Sequence, residues 1–252
     1  MSTSIESIIT NHLIELIPAH ERLLLLNHCE VVDLEFGVML SEHNKKYKYL
    51  YFPMSGFISL VTKLSGHKPL EMSVIGNEGM LGVTMVLGVS EAPMQAVVQG
   101  KGTAWRLNVA ELQQVLHQCP QLRHVLKKYL FVSLAQLSQS AACAHFHALD
   151  QRLARWLLLS QDRAHSNEFH LTHQFLADML GVRRSGVTVA AGRMQERKLI
   201  EYSRGKIAIT NRSALEKASC ECYQLNINEY QRLLGEPAQD SAKRLLTEQG
   251  TP

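Results

Sequence analysis

Residues 171–212 read LTHQFLADMLGVRRSGVTVAAGRMQERKLIEYSRGKIAITNR. Thr172 is placed as an N-cap ahead of a run in which Phe175, Leu176, Met179 and Leu180 supply one buried side. Ala177 is small where a second helix can cross closely. Gly181 ends the run as a C′ residue, and Val182 follows as a buried turn residue. Ser185 is placed to cap a second helix that reaches about Lys198, with Val187, Ala190, Ala191 and Met194 as its core positions. Gly186 and Gly192 are poor helix formers, so this helix depends on tertiary packing. Leu199–Tyr202 and Lys206–Ile209 then alternate around Ser203, Arg204 and Gly205, which predicts a β-hairpin. Thr210, Asn211 and Arg212 start a final helix in which Leu215 packs. Two short helices joined by a glycine turn, then a hairpin, predict a winged helix-turn-helix.

The polar residues of this stretch suit DNA. Readers of this type set the start of the second helix in the major groove. Arg183 and Arg184 precede or open that helix, and an arginine there donates two bonds to guanine O6 and N7. Ser185 and Thr188 offer hydroxyls to bases, and Val189 offers an apolar contact to a thymine methyl. Thr172, Arg204 and Lys206 are candidates for phosphate contacts, the last two at or beside the wing tip. Charge follows the same map. The chain of 252 residues carries 26 Lys+Arg against 23 Asp+Glu, or +3, which excludes a uniformly basic coat protein. Residues 1–145 hold 11 basic and 11 acidic side chains, whereas Gly181–Lys217 holds nine Lys/Arg against three Glu.

Upstream of this region the periodicity changes twice. Ile5 to Asn27 reads as short helices broken at Pro18, with Leu13, Leu16 and Ile17 on one face. From 29 to 109, short alternating segments lie between Gly, Asn and Pro breakers, which predicts an antiparallel barrel or roll. The predicted strands are Tyr49–Phe52, Gly56–Val61, Leu70–Ile75, Met94–Val98 and Thr103–Leu107. Val109–Leu116 is a short helix, and Pro120 suits the first turn of a long one over Gln121–Cys143. That long helix is apolar on two sides, one for the roll and one for a twin chain. Leu122, Val125, Leu126, Tyr129, Val132, Gln136 and Leu137 are its candidate dimer residues. Ala144–His147 reads as a hinge, Leu149–Ser160 as an amphipathic helix and Arg163–Glu168 as a polar loop. After Cys220, Tyr223, Leu225, Ile227, Tyr230, Leu233 and Leu234 suggest an added helix, with Gln249–Pro252 frayed.

The fold class is therefore α+β. An N-terminal antiparallel β-roll, of double-stranded β-helix or jelly-roll type, precedes a long dimerisation helix and a C-terminal winged helix-turn-helix. The expected domains are residues 1–118, 119–146, 147–218 and an extension at 219–252. Composition, at 46% hydrophobic and 19% charged, excludes a disordered tail or a collagen.

This order of parts resembles the Crp/Fnr family of bacterial transcription regulators over roughly residues 20–218. The specific matches are Leu176-Ala177, Gly181-Val182, Arg184, Val187 and Lys198-Leu199-Ile200 followed by the wing. Tyr51–Gly56 looks like the family's first roll motif, and Gly76–Gly82 like the opening of its ligand-binding cassette. The resemblance implies a homodimer on a palindromic operator, with half-sites roughly 34 Å apart, and recruitment or obstruction of RNA polymerase. Arg184 matches the family's guanine-reading arginine. Ser185 stands where glutamate is common and Val189 where an arginine reads DNA, so the operator differs from the best-known family consensus.

The sensory side departs from the family. Glu78 matches the glutamate that holds a ribose hydroxyl, but residues 90–96 hold no basic side chain for a cyclic phosphate. Such a phosphate would be buried without compensation, so cyclic nucleotide is not expected. Cys29 alone in the N-terminal third is too few thiols for an iron–sulfur cluster. No local signal selects a haem ligand. Met72, Glu78, Met80 and Met94 are the candidate lining of a pocket for an unidentified effector. Cys220 and Cys222 with His145 and His147 hold zinc-ligand types, but nothing in the sequence unites them, and a spacer of one residue is not the usual two to four. No metal is expected, and Cys143 reads as a small packing residue.

Two other functions fit the sequence less well. A cupin-like metal enzyme needs converging histidines, and the roll offers only His43 and His67, so no catalytic role is expected. A winged helix that binds a protein instead of DNA is disfavoured by the charge count. Five scattered cysteines, no leader and no long apolar run point to a reduced, cytoplasmic protein without a membrane span.

Overall fold

The computed structural model describes residues 11–164 and 166–235. The readings for Ile5–Thr10 and for Gln249–Pro252 lie outside the described residues. Helices α1 (His12–Glu15) and α2 (Ala19–Asn27) flank Pro18 and lead into two facing sheets. One sheet has the order β1-β7-β3, from Cys29–Leu34, Gly102–Asn108 and Tyr49–Pro53. The other has the order β2-β6-β4-β5, from Met39–Ser41, Gln95–Gly100, Phe57–Thr62 and Leu70–Ile75. All their pairings are antiparallel. Together they make the expected roll. Strands β1 and β2 were not foreseen. They alternate poorly, with Val31 and Met39 both exposed. Gly56 turns the chain between β3 and β4 at φ +70°, and a Cβ there would strike the Gly100 carbonyl.

Helix α3 (Val109–Gln118) precedes α4 (Pro120–Phe146), the long helix. Pro120 occupies its first turn. Its free N–H groups at Gln121 and Leu122 donate to the carboxylate of Glu21, a residue 1% exposed on α2, at 3.1 and 2.9 Å. A negative group at a helix start also opposes the macrodipole. Leu122, Val125, Leu126, Tyr129 and Val132 pack into the same core as Leu50, Phe52, Ile58, Met80 and Leu107. The chain's own roll thus consumes these five, which corrects their assignment to a twin helix. Gln136 and Leu137 are half-buried. The large apolar residues that α4 leaves outward are Phe131 and Leu134 along its middle, 53% and 57% exposed, and Phe146 at its end.

Beyond α4, helix α5 (Leu149–Ala164) is longer than expected, and Glu168–His170 forms β8, a strand that begins at the last residue of the expected loop. Helices α6 (His173–Leu180) and α7 (Arg184–Glu196) follow, then β9 (Ile200–Ser203), β10 (Lys206–Ile209) and α8 (Arg212–Ala218). Strands β8, β10 and β9 form an antiparallel sheet in that order. Leu153, Leu157, Leu176, Val187, Met194 and Ile207 are among the residues of a second core. Helix α9 (Cys222–Leu234) belongs to both cores, with Tyr223 in the second and Leu234 in the first. No helix among the described residues is long and apolar enough to cross a membrane.

Polar contacts tie the two bodies. Trp156 Nε1 on α5 donates to Glu71 Oε1 on β5 at 2.6 Å. Arg163, on α5 and almost fully buried, pairs with Glu78 at 2.8 Å. Within the second body, the Arg152 guanidinium on α5 donates to the Leu180 carbonyl at the end of α6 at 2.6 Å.

Candidate nucleic-acid interface

Thr172 caps α6, its hydroxyl oxygen accepting from Phe175 N–H at 3.1 Å. That hydroxyl keeps its own hydrogen to donate. Gly181 closes the helix at φ +66°, and its neighbour on the roll is Leu70. The start of α7 differs from the expectation. Arg183, not Ser185, is the N-cap, and its side chain makes no capping bond. The helix therefore begins one residue before Ser185, and no side chain neutralises its first-turn N–H groups. A helix start of this kind attracts anions.

Val187, Ala190, Ala191 and Met194 are buried, as their spacing predicts. The opposite side holds Arg183, Arg184, Ser185, Thr188 and Val189, all exposed. Thr188 is partly committed, since its hydroxyl donates to the Arg184 carbonyl at 3.1 Å. It also meets His173 Nδ1 at 3.0 Å. His173 in turn stacks on Tyr202 of the wing, with centroids 4.2 Å apart. Burial, and then the charge of Arg184, hold the His173 imidazole below its usual range. The ring thus braces α7 against the wing. Sequence reasoning missed His173, because a histidine in a polar first turn carries no signal of its own.

The wing turn places Arg204 at φ +50° and Gly205 at φ +82°. Positive φ at both central residues is the turn that matches hairpin twist. Arg204 is exposed at the tip, and Lys206 is paired with Glu168 at 2.6 Å on the neighbouring strand. Among the described residues, no ion pair engages Arg183, Arg184 or Arg204.

The candidate effector residues separate. Met80 and Met94 line a cavity of about 190 Å³ between the roll and α4, with Tyr47, Ser73, Tyr129 and Ser133. No charged side chain lines it. Met72 instead faces a cavity of about 300 Å³ beside Arg152, Arg155 and Trp156. Glu78 is held by Arg163, so it does not serve the roll cavity. His43 and His67 belong to no cluster of ligating groups among the described residues.

The structure brings together residues that nothing in the sequence unites. Cys143, His147, Cys220 and Cys222 converge, although they are scattered in sequence. His145 stays outside the group.

Residues 151–218 match the family model of the Crp-like helix-turn-helix domain. No curated protein matches the chain. Solved structures are similar over most of it. A transcriptional regulator of the Crp/Fnr family from Eubacterium rectale aligns with a TM-score of 0.64 at 16% identity, over 82% of this chain and 96% of that one. FixK2 from Bradyrhizobium japonicum aligns with a TM-score of 0.64 at 14% identity, over 76% and 98%. The c-di-GMP responsive global regulator CLP of Xanthomonas campestris aligns with a TM-score of 0.63 at 14% identity, over 76% and 99%. The chain thus has the fold of the Crp/Fnr transcriptional regulators, with a Crp-like helix-turn-helix domain at residues 151–218.

Proposed function

We propose that this protein is a sequence-specific DNA-binding transcription regulator that acts as a homodimer on a palindromic operator. The observation that carries the reading is the start of α7, where Arg183 and Arg184 stand exposed and unpaired beside unneutralised helix N–H groups. Arg183, Arg184, Ser185, Thr188 and Val189 face base edges in this reading. Thr172, Arg204 and Lys206 face phosphates, and Lys206 exchanges its carboxylate partner for one. The twin chain meets Phe131 and Leu134 of α4 together with the half-buried Gln136 and Leu137, because Leu122, Val125, Leu126, Tyr129 and Val132 are buried in the chain's own core. The uncharged cavity under the roll suits an apolar or weakly polar effector, not a cyclic phosphate. RNA polymerase, recruited or obstructed, is the further partner that the resemblance implies.

Fluorescence anisotropy on duplexes selected from a random pool tests the reading at fixed salt. Arg184→Ala is expected to relax preference at one base pair per half-site by about 1–3 kcal/mol. A parent protein with no preference among duplexes would refute sequence reading and leave a protein partner for the winged helix.

A further inference from the structure

The hinge between α4 and α5 holds a group that DNA reading does not use. Cys143 lies in the last turn of α4 and His147 is its C-cap. Cys220 lies in the link from α8, and Cys222 opens α9. The three cysteines are 1%, 2% and 0% exposed and form a buried cluster apart from both main cores. Cys143 Sγ and Cys220 Sγ are 3.6 Å apart, and Cys222 Sγ and His147 Nδ1 are 3.4 Å apart. One ligand atom from each of the four residues lies within 4.8 Å of all the others.

We propose that Cys143, Cys220 and Cys222, through Sγ, and His147, through Nδ1, form a tetrahedral zinc site that fastens the neck of the DNA-reading domain. Tetrahedral zinc has Zn–S of about 2.3 Å and Zn–N of about 2.0 Å, which sets S···S edges near 3.8 Å and S···N edges near 3.5 Å. The two observed edges lie within about 0.2 Å of those values. Three cysteines and one histidine make a closed structural set, and soft thiolates select zinc over calcium or magnesium.

The outer groups support the same reading. His147 Nε2 meets Glu221 Oε1 at 3.1 Å, which fixes the ring with Nδ1 toward the sulfurs. A carboxylate behind a ligating imidazole is the usual outer partner of such a histidine. Gln139 Nε2 donates to Cys222 Sγ at 2.9 Å, as a hydrogen bond to a thiolate would require. Three thiolates and Zn²⁺ sum to one negative charge, and Arg152 and Arg155 of α5 are the cations acting on it. His147 precedes α5 and Cys220 follows α8, so one ion would hold the chain where it enters the domain and where it leaves.

The test uses the full chain, stripped with chelator under reductant and titrated with Co²⁺, then Zn²⁺. We expect one equivalent of Co²⁺ per chain, with tetrahedral d–d bands and a thiolate-to-cobalt charge-transfer band, all abolished by Zn²⁺. Cys222→Ser should remove the charge-transfer intensity of one thiolate and Glu221→Gln should weaken affinity about tenfold, while Cys29→Ser changes neither. Should a ligand variant fail to fold, differential alkylation of the parent decides. Zinc should then protect Cys143, Cys220 and Cys222, and leave Cys29 unchanged. A folded, reduced parent without those bands, charge-transfer intensity undiminished in folded Cys222→Ser, or a Cys143–Cys220 disulfide that forms in place of metal uptake would overturn the proposal.

Discussion

Glu71 is a carboxylic acid set in the contact between the roll and the second body. Its carboxylate lies where β5 meets α5, with Ser59 Oγ and Trp156 Nε1 both 2.6 Å away. Burial pushes the carboxyl from its ordinary 4.5 up to about 7, against the opposing pull of those two donors and of Arg155 and Arg163. The folded chain therefore holds this proton more tightly than the unfolded one. The stabilisation is complete below about pH 4.5 and is lost as pH rises through about 7. Its size is on the order of 1–3 kcal/mol. Urea midpoints measured from pH 5 to 8 should fall with pH in the parent, and Glu71→Gln should flatten that slope. An unchanged slope would show that some other group sets it. Because Glu71 bonds to Trp156, the same titration acts on the contact between the roll and the DNA-reading domain.

At the scale of elements, the long helix shows how a cap and a face divide the work. Two N–H groups of its first turn depend on Glu21, so Glu21→Ala strips both donors, the buried one of Leu122 and the part-buried one of Gln121, of their partner. The expected cost is about 2–4 kcal/mol, read as a drop in Tm with little change in DNA preference. A loss under about 0.5 kcal/mol would mean that water replaces the carboxylate fully. This element also marks the boundary of what the sequence discloses. The helix itself was legible, since Pro120 starts it and neither Pro nor Gly interrupts it. Its faces were not, because Leu122, Val125 and Tyr129 look alike whether they meet a roll or a twin. The winged helix-turn-helix was legible for the opposite reason, as Gly181, the paired apolar faces and the Arg204-Gly205 turn all act locally. Strand β8 was hidden because only Phe169 of its three residues is buried. The four converging side chains were hidden because 72 residues lie between His147 and Cys220, and no short motif spans such a gap.

For the whole molecule, the proposed assembly turns on the exposed Phe131 and Leu134. Leu134→Glu sets a charge where a twin helix would pack. Sedimentation should show dimer dissociation strengthened about 30-fold or more, with loss of tight binding to a two-half-site operator. Binding to a single half-site should survive, since Arg183 and Arg184 lie on another body of the chain. A variant that stays dimeric would move the interface elsewhere.

The convergence of His147 and Cys222, 3.4 Å apart, also has a topological meaning. The polypeptide leaves the roll-and-helix body and returns to it at nearly one point, and α9 then runs back along both cores. The DNA reader is thus an insertion with a narrow stem, not a terminal appendage. A segment attached in this way can be exchanged between chains as one unit, because a replacement need only match a gap of a few ångströms.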